Sequence, residues 1–143
     1  KQVIWGDAVI VNRDRIDKKL RKTKRKKIDK KDILVGNAPP HPSFFTSKAI
    51  LDSIGNYNLK YKVASDFDLM KRALEEVNYD GLYIDKLTTI MRFGGISNSD
   101  LATTVKGNLE IIDSLSNTHK EFNILKFIFF KSIKFFRESF LSK

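Results

Sequence analysis

The stretch Val63-Ala-Ser-Asp-Phe-Asp-Leu-Met-Lys-Arg-Ala-Leu-Glu-Glu76 reads as a helix that opens with carboxylates and continues as an apolar stripe. Ser65 and Asp68 have the spacing of a capping box, which predicts Ser65 as the N-cap with Asp68 reaching back from the third helical position. At about 100° per residue, Phe67, Met70, Ala73, Leu74 and Val77 share one face, and Asp68, Lys71, Arg72 and Glu75 lie round the other side. Asp66 falls with the apolar group. Two positions separate Asp66 from Asp68, so the two carboxylates point to opposite sides and cannot cooperate on one face. Asp68 is accounted for as a cap and as an i,i+4 partner of Arg72. Asp66 has two readings. It is either an ordinary first-turn acid, a position where acids are enriched, or an inward-facing general base favoured in its ionised form by the positive end of the helix.

Upstream of this helix, Gly36-Asn-Ala-Pro-Pro-His-Pro42 excludes regular structure, because Pro39, Pro40 and Pro42 fix φ and remove three donors. The rigid segment delivers His41 and Ser43-Phe-Phe-Thr46 to a defined place. His41 is open to two readings, a polar loop residue beside a core Phe pair or a metal, phosphate or acceptor contact. Ser47 is the expected N-cap of a short helix, Lys48 to Ile54, ended by Gly55 at a positive-φ position. Gln2 to Asn12 is rich in Val, Ile and Trp and reads as a buried strand with a bend or bulge at Trp5-Gly-Asp7. Ile33-Leu-Val35 reads as a short strand. Downstream, Asn78 to Gly81 is a turn, Leu82 to Phe93 is strand material, and Arg92 stands at the entrance to the mobile or tightly turned Gly94-Gly95. Ser99 or Asp100 caps a helix running to about Ser116.

A chain of 143 residues with 11 Phe can supply the core of one compact domain. It opens on Lys1 directly into a strand and reads as part of a longer protein. There is no cysteine, so disulfides and thiolate metal sites are excluded. The net charge of +10 is local. From Arg13 to Lys31 there are 12 Lys and Arg against 3 Asp, a surplus of nine. This 13–32 insertion has no aromatic residues for base stacking and no nucleic-acid-binding signature. It reads first as a solvated, mobile loop and second as a surface for anionic lipid. No specific nucleic-acid partner is expected.

The tail from Lys120 to Lys143 is a second amphipathic helix. Phe122, Leu125, Ile128, Phe129, Ile133, Phe136 and Phe140 are expected on one face, with Lys126, Lys131, Lys134, Arg137 and Glu138 on the other. Phe127, Phe130 and Leu141 project to the polar side. Such a helix packs on protein or lies in a membrane interface. No apolar run reaches the ~20 residues needed to span a bilayer.

The ordered series Trp5-Gly-Asp7, Pro40-His-Pro-Ser-Phe-Phe45, Ile54-Gly-Asn-Tyr57, Ala64-Ser-Asp-Phe-Asp-Leu69 with Arg72, Tyr83-Ile-Asp85 and Arg92-Phe-Gly-Gly-Ile-Ser97 resembles the acceptor-side half of a bacterial family 2 glycosyltransferase. The resemblance covers residues 2 to 98, apart from the basic insertion, and leaves 99–143 as a separate helical region. It implies α+β architecture here, as the C-terminal part of a GT-A type α/β domain. Its nucleotide-binding half and Asp-x-Asp motif have no counterpart in this chain. It also implies inverting transfer from a nucleotide-sugar to a saccharide or lipid-linked acceptor, with Mg²⁺ or Mn²⁺ in the whole enzyme, in cell-surface polysaccharide synthesis. The location implied is cytoplasmic, peripheral on the inner face of the membrane. In such enzymes the residue matched by Asp66 is the candidate base, often preceded by Glu where this chain has Ser65. Arg92, His41, Gly94, Gly95 and Ser97 are the implied diphosphate or acceptor contacts. No complete metal site is expected in this chain; His41 is its one candidate contact, and the chain alone is expected to be inactive.

Overall fold

The computed structural model describes residues 2–93 and 101–141. It is a small α+β fold, with a mixed four-stranded sheet and five α-helices among the described residues. Strand β1 (Val3–Val11) is the centre of the sheet. One edge of β1 pairs antiparallel with β2 (Lys19–Thr23) and, further toward its start, with β3 (Phe44–Thr46). The other edge pairs in parallel with β4 (Leu82–Arg92). The expected bulge is present, since the β1–β4 register shifts on both sides of Asp7.

Helix α2 (Lys48–Ile54) starts at Ser47, whose side chain accepts from the Ile50 amide, and ends at Gly55 with φ 77°. Helix α3 (Ser65–Glu76) buries Phe67, Leu69, Met70, Ala73 and Leu74, and α4 (Leu101–Ser116) packs beside it through Ser114 and Leu115. One core cluster joins Val3 and Trp5 of β1, Phe67, Ala73 and Leu74 of α3, Leu115 of α4 and Phe127 of α5 (Ile124–Leu141). The Trp5 indole also donates to the Arg25 carbonyl at 2.6 Å.

Four sequence expectations are corrected. The basic segment is not a solvated loop throughout, since β2 lies within it and Ile28 is buried. The edge of a buried strand needs backbone partners, and β2 supplies them while its cations reach acids across the sheet: Lys22 is 3.1 Å from Asp7, and Lys24 bonds Asp85 at 2.5 Å. Ile33 and Leu34 lie in helix α1 (Lys30–Leu34) rather than a strand, because Asp29 and Asp32 form a reciprocal capping box. Ser65 is the first helical residue of α3, not its cap; the N-cap position is Ala64 and no side chain caps it locally. In α5, Phe127 is not on the solvent side but is the buried anchor at 2% exposure. It covers Gly36, which has φ 73° and where an added Cβ would lie 2.6 Å from the Phe127 ring.

Candidate functional site

A cleft of about 570 Å³ opens between the sheet, the proline segment and the start of α3. Its proline wall is tied to the sheet from two sides. The buried Ser43 hydroxyl lies 2.8 Å from the Gly6 carbonyl of β1 and 2.9 Å from that of Pro40, and Thr89 of β4 donates to the Pro42 carbonyl at 3.0 Å. These bonds fix the short 3₁₀ turn that begins at His41.

The opposite wall is the first turn of α3. Glu110 of α4 accepts from the amides of Val63 and Ala64, both at 2.8 Å. It thereby serves donors at the helix entry that Ser65 does not. Burial acts to raise the Glu110 carboxyl, but the amides of Ala64, Val63 and Lys62 outweigh it and hold the group below its ordinary range.

Away from this cleft, beside a second pocket lined by Asp68, Lys71, Arg72, Ser114 and Thr118, α3 and α4 are joined by a buried ionic network. Lys71 is fully buried and donates to the Ser114 carbonyl (3.0 Å), the Ser114 hydroxyl (2.9 Å) and the Thr118 hydroxyl (3.0 Å). Asp68, 4% exposed, accepts from Arg72 at 2.8 Å and from Ser114 at 2.7 Å, with the Lys71 ammonium 3.5 Å away. Arg72 continues to the carbonyls of Ile54, Gly55 and Asn56, at 2.7, 3.2 and 3.0 Å. Burial lowers the Lys71 ammonium despite the neighbouring Asp68. Asp68 is therefore a packed structural ion. Lys71 does lie on the side of α3 away from the apolar stripe, but that side is buried against Ser114 of α4.

Asp66 is in a different situation. Its carboxylate stays 42% exposed at the cleft, with His41 Nε2 3.7 Å from its Oδ2. That separation is beyond a hydrogen bond but within electrostatic reach, and the two form an ion pair whenever the imidazole is protonated. Both groups are free to meet a ligand.

Cations border the same cleft. Lys22, Lys24 and Arg25 line it from β2 and the residues after it, and Lys134 lines it from α5. Sequence reasoning assigned this basic run to an insertion apart from the site; the signal for its placement is the pair of distant acids, Asp7 and Asp85. Asp7 is 1% exposed, and burial acts to raise its carboxyl. Hydrogen bonds from Tyr83 (2.6 Å) and from Lys22, with the charges of Lys22 and Lys24, outweigh that effect and hold it low.

Arg92 ends β4 in register with Val11 and is exposed; its neighbour Met91, not Arg92, lines the cleft. Gly94, Gly95 and Ser97 lie outside the described residues. Among the described residues, no three of His, Cys, Asp and Glu converge on a metal position. His41 and Asp66 alone would leave most of the coordination sphere of Mg²⁺ or Mn²⁺ to groups outside this chain. Compared with known proteins, the chain matches no family model, no curated protein and no solved structure.

Proposed function

We propose that this chain carries the acceptor side of an inverting sugar-transfer site of GT-A type, with donor and metal held by groups outside it. The observation that carries the reading is the half-exposed Asp66 carboxylate at the start of α3, facing His41 across a cleft bordered by Lys22, Lys24 and Arg25. Asp66 takes the proton of an acceptor hydroxyl as that oxygen bonds to the anomeric carbon of a nucleotide-sugar. The bond from the anomeric carbon to the diphosphate breaks in the same displacement, and a nucleoside diphosphate leaves with the electron pair. His41 orients the carboxylate or the acceptor. The cations of the cleft wall offset charge growing on the diphosphate, and Arg92 stands at the end of β4 for the same task.

The sheet supports a site completed by more protein. Parallel strands are ordinarily covered on both faces, yet Leu82, Leu87 and Ile90 of the parallel strand β4 are 60%, 46% and 56% exposed. The donor-binding half is the proposed occupant of that surface. In this reading the reaction belongs to surface-polysaccharide synthesis on the cytoplasmic side, as the resemblance to family 2 glycosyltransferases implies. No described helix is long and apolar enough to cross a membrane.

The test is turnover by the whole protein with a panel of nucleotide-sugars and Mn²⁺, comparing wild type with Asp66→Asn. Turnover with one donor should fall by about 10²–10⁴-fold in the variant. Near-normal turnover in Asp66→Asn would remove the base assignment. A folded protein that binds no nucleotide-sugar would remove the reaction.

A further inference from the structure

Helix α5 is mounted with its apolar side outward. Its inward contacts are Phe127, buried and edge-on to Phe122 with ring centroids 6.0 Å apart, and Lys131, whose ammonium donates to the Gly36 carbonyl at 3.2 Å. At about 100° per residue, Leu125, Ile128, Phe129, Ile133 and Phe136 fall within an arc of roughly 140° centred opposite Phe127. All five are exposed, at 75%, 50%, 61%, 46% and 61%. A surface helix of a globular protein ordinarily turns its apolar stripe to the core. Here the stripe faces away from the domain that holds the helix.

We propose that this face binds an anionic bilayer, with α5 lying in the interfacial plane. Charge selects this occupant. The chain carries +10, and of the helix's described cations the exposed Lys126 stands at the rim of the outward arc, while Lys131 and Lys134 turn toward the domain. Among the described side chains of the outward arc there is no carboxylate to oppose lipid phosphate. A second copy of the chain, itself at +10, would bring like charge to the same contact. An anionic lipid surface supplies both the apolar layer and the counter-charge. The four cations among 18 residues also explain why the helix lies on a bilayer rather than crossing it. The assignment is independent of the sugar-transfer reading, since it uses no residue of the Asp66 cleft.

The experiment is co-sedimentation of the whole chain with vesicles of pure phosphatidylcholine and with vesicles containing about one third phosphatidylglycerol. Wild type is compared with the double variant Leu125→Asp/Phe129→Asp. Both sites are exposed, so far-UV circular dichroism and the thermal midpoint should stay at wild-type values and report an intact fold. Binding is expected to the anionic vesicles alone, to weaken as salt is raised to about 0.5 M, and to fall on the order of 100-fold or more in the double variant. Three results would each overturn the proposal. They are absence of binding to anionic vesicles, equal binding to both vesicle types, and binding that the double variant leaves unchanged. A lipid-free dimer that the double variant converts to monomer would assign the face to a second copy instead.

Discussion

Asp68→Asn keeps the shape of the side chain and removes its charge, so it tests whether the α3–α4 junction is an ionic structure rather than part of the reactive cleft. Lys71 is fully buried and Asp68 is 4% exposed. Neutralising the acid leaves the ammonium with its bonds to Ser114 and Thr118 but without its main counter-charge, only Glu75 remaining near it. Removing one partner of such a buried pair costs about 3–5 kcal/mol. Asn retains one acceptor for Arg72 or Ser114, which points to the lower end, about 3 kcal/mol. For a chain of this size that loss lowers the thermal midpoint by roughly 10 °C. Urea unfolding followed by far-UV circular dichroism should show a lower midpoint with an unchanged slope. The second arm is Asp68→Asn/Lys71→Met. With both charges gone, Thr118 still donates to the Ser114 carbonyl at 2.8 Å, and the pair becomes a neutral, nearly isosteric contact, so the double variant should recover at least about 1.5 kcal/mol relative to Asp68→Asn. The reasoning is refuted if Asp68→Asn lies within about 0.5 kcal/mol of wild type, or if the two substitutions simply add. Asp66→Asn, at a half-exposed site, should stay within about 0.5 kcal/mol. The two neighbouring acids are thus separable by stability alone.

Glu110→Gln should cost about 1–2 kcal/mol at neutral pH by weakening the acceptor for the Val63 and Ala64 amides. Because the folded carboxyl lies below its ordinary value of 4.5, its stabilisation is present above that value and is lost as pH falls through the folded one. The difference in unfolding free energy between wild type and variant should be flat above about pH 5.5 and shrink in acid; a difference independent of pH would refute the charged-cap account. Gly81→Ala would put a Cβ 2.3 Å from the ring of Trp5, which is 1% exposed and tied to Arg25. Overpacking of that kind costs about 1–3 kcal/mol. Since Trp5 is the single tryptophan, its fluorescence should shift together with the thermal midpoint, and an unchanged spectrum and midpoint would contradict the packing described.

Much of the chain's local structure is readable from its residues. The bulged central strand, Ser47 and Gly55 bounding α2, the apolar stripe of α3, the strand beginning at Leu82 and the presence of the last two helices follow from side-chain period and, for α2, end signals; the expected caps Ser99 and Asp100 lie outside the described residues, and α5 begins at Ile124 rather than Lys120. What escaped depends on partners far away in sequence. A Lys-rich run reads as solvated until Asp7 and Asp85 are known to stand across from it. Lys71 looks like the polar face of an amphipathic helix until Ser114 and Thr118 receive its three hydrogens. Ile33-Leu-Val35 is too short for period to separate strand from helix, and the deciding Asp29 and Asp32 carry the smaller acid at both ends of the capping box. Phe127 shows a different failure. The rule that the apolar stripe turns inward fixes the wrong rotation for this helix, whose stripe residues Leu125, Ile128, Phe129, Ile133 and Phe136 are exposed.

The candidate site follows the same division. Asp66 and His41 are visible as residues worth suspecting, but nothing local says that two half-exposed groups 25 positions apart meet at 3.7 Å. Their meeting is produced by tethers that are themselves unremarkable in sequence: Ser43 to Gly6, Thr89 to Pro42, and Glu110 to the entry of α3. Each tether consumes its polar groups inside the fold. Asp68, Lys71 and Asp7 are likewise spent on buried partners. Asp66 and His41 are the acid and base left at the cleft with room for a ligand between the walls, beside cations whose positions are set by acids behind them. A rigid frame around a few half-exposed ionisable groups is the arrangement that proton transfer from a bound hydroxyl requires, and for that reason the carboxylate of Asp66, rather than the more heavily bonded Asp68, is the group on which the functional reading rests.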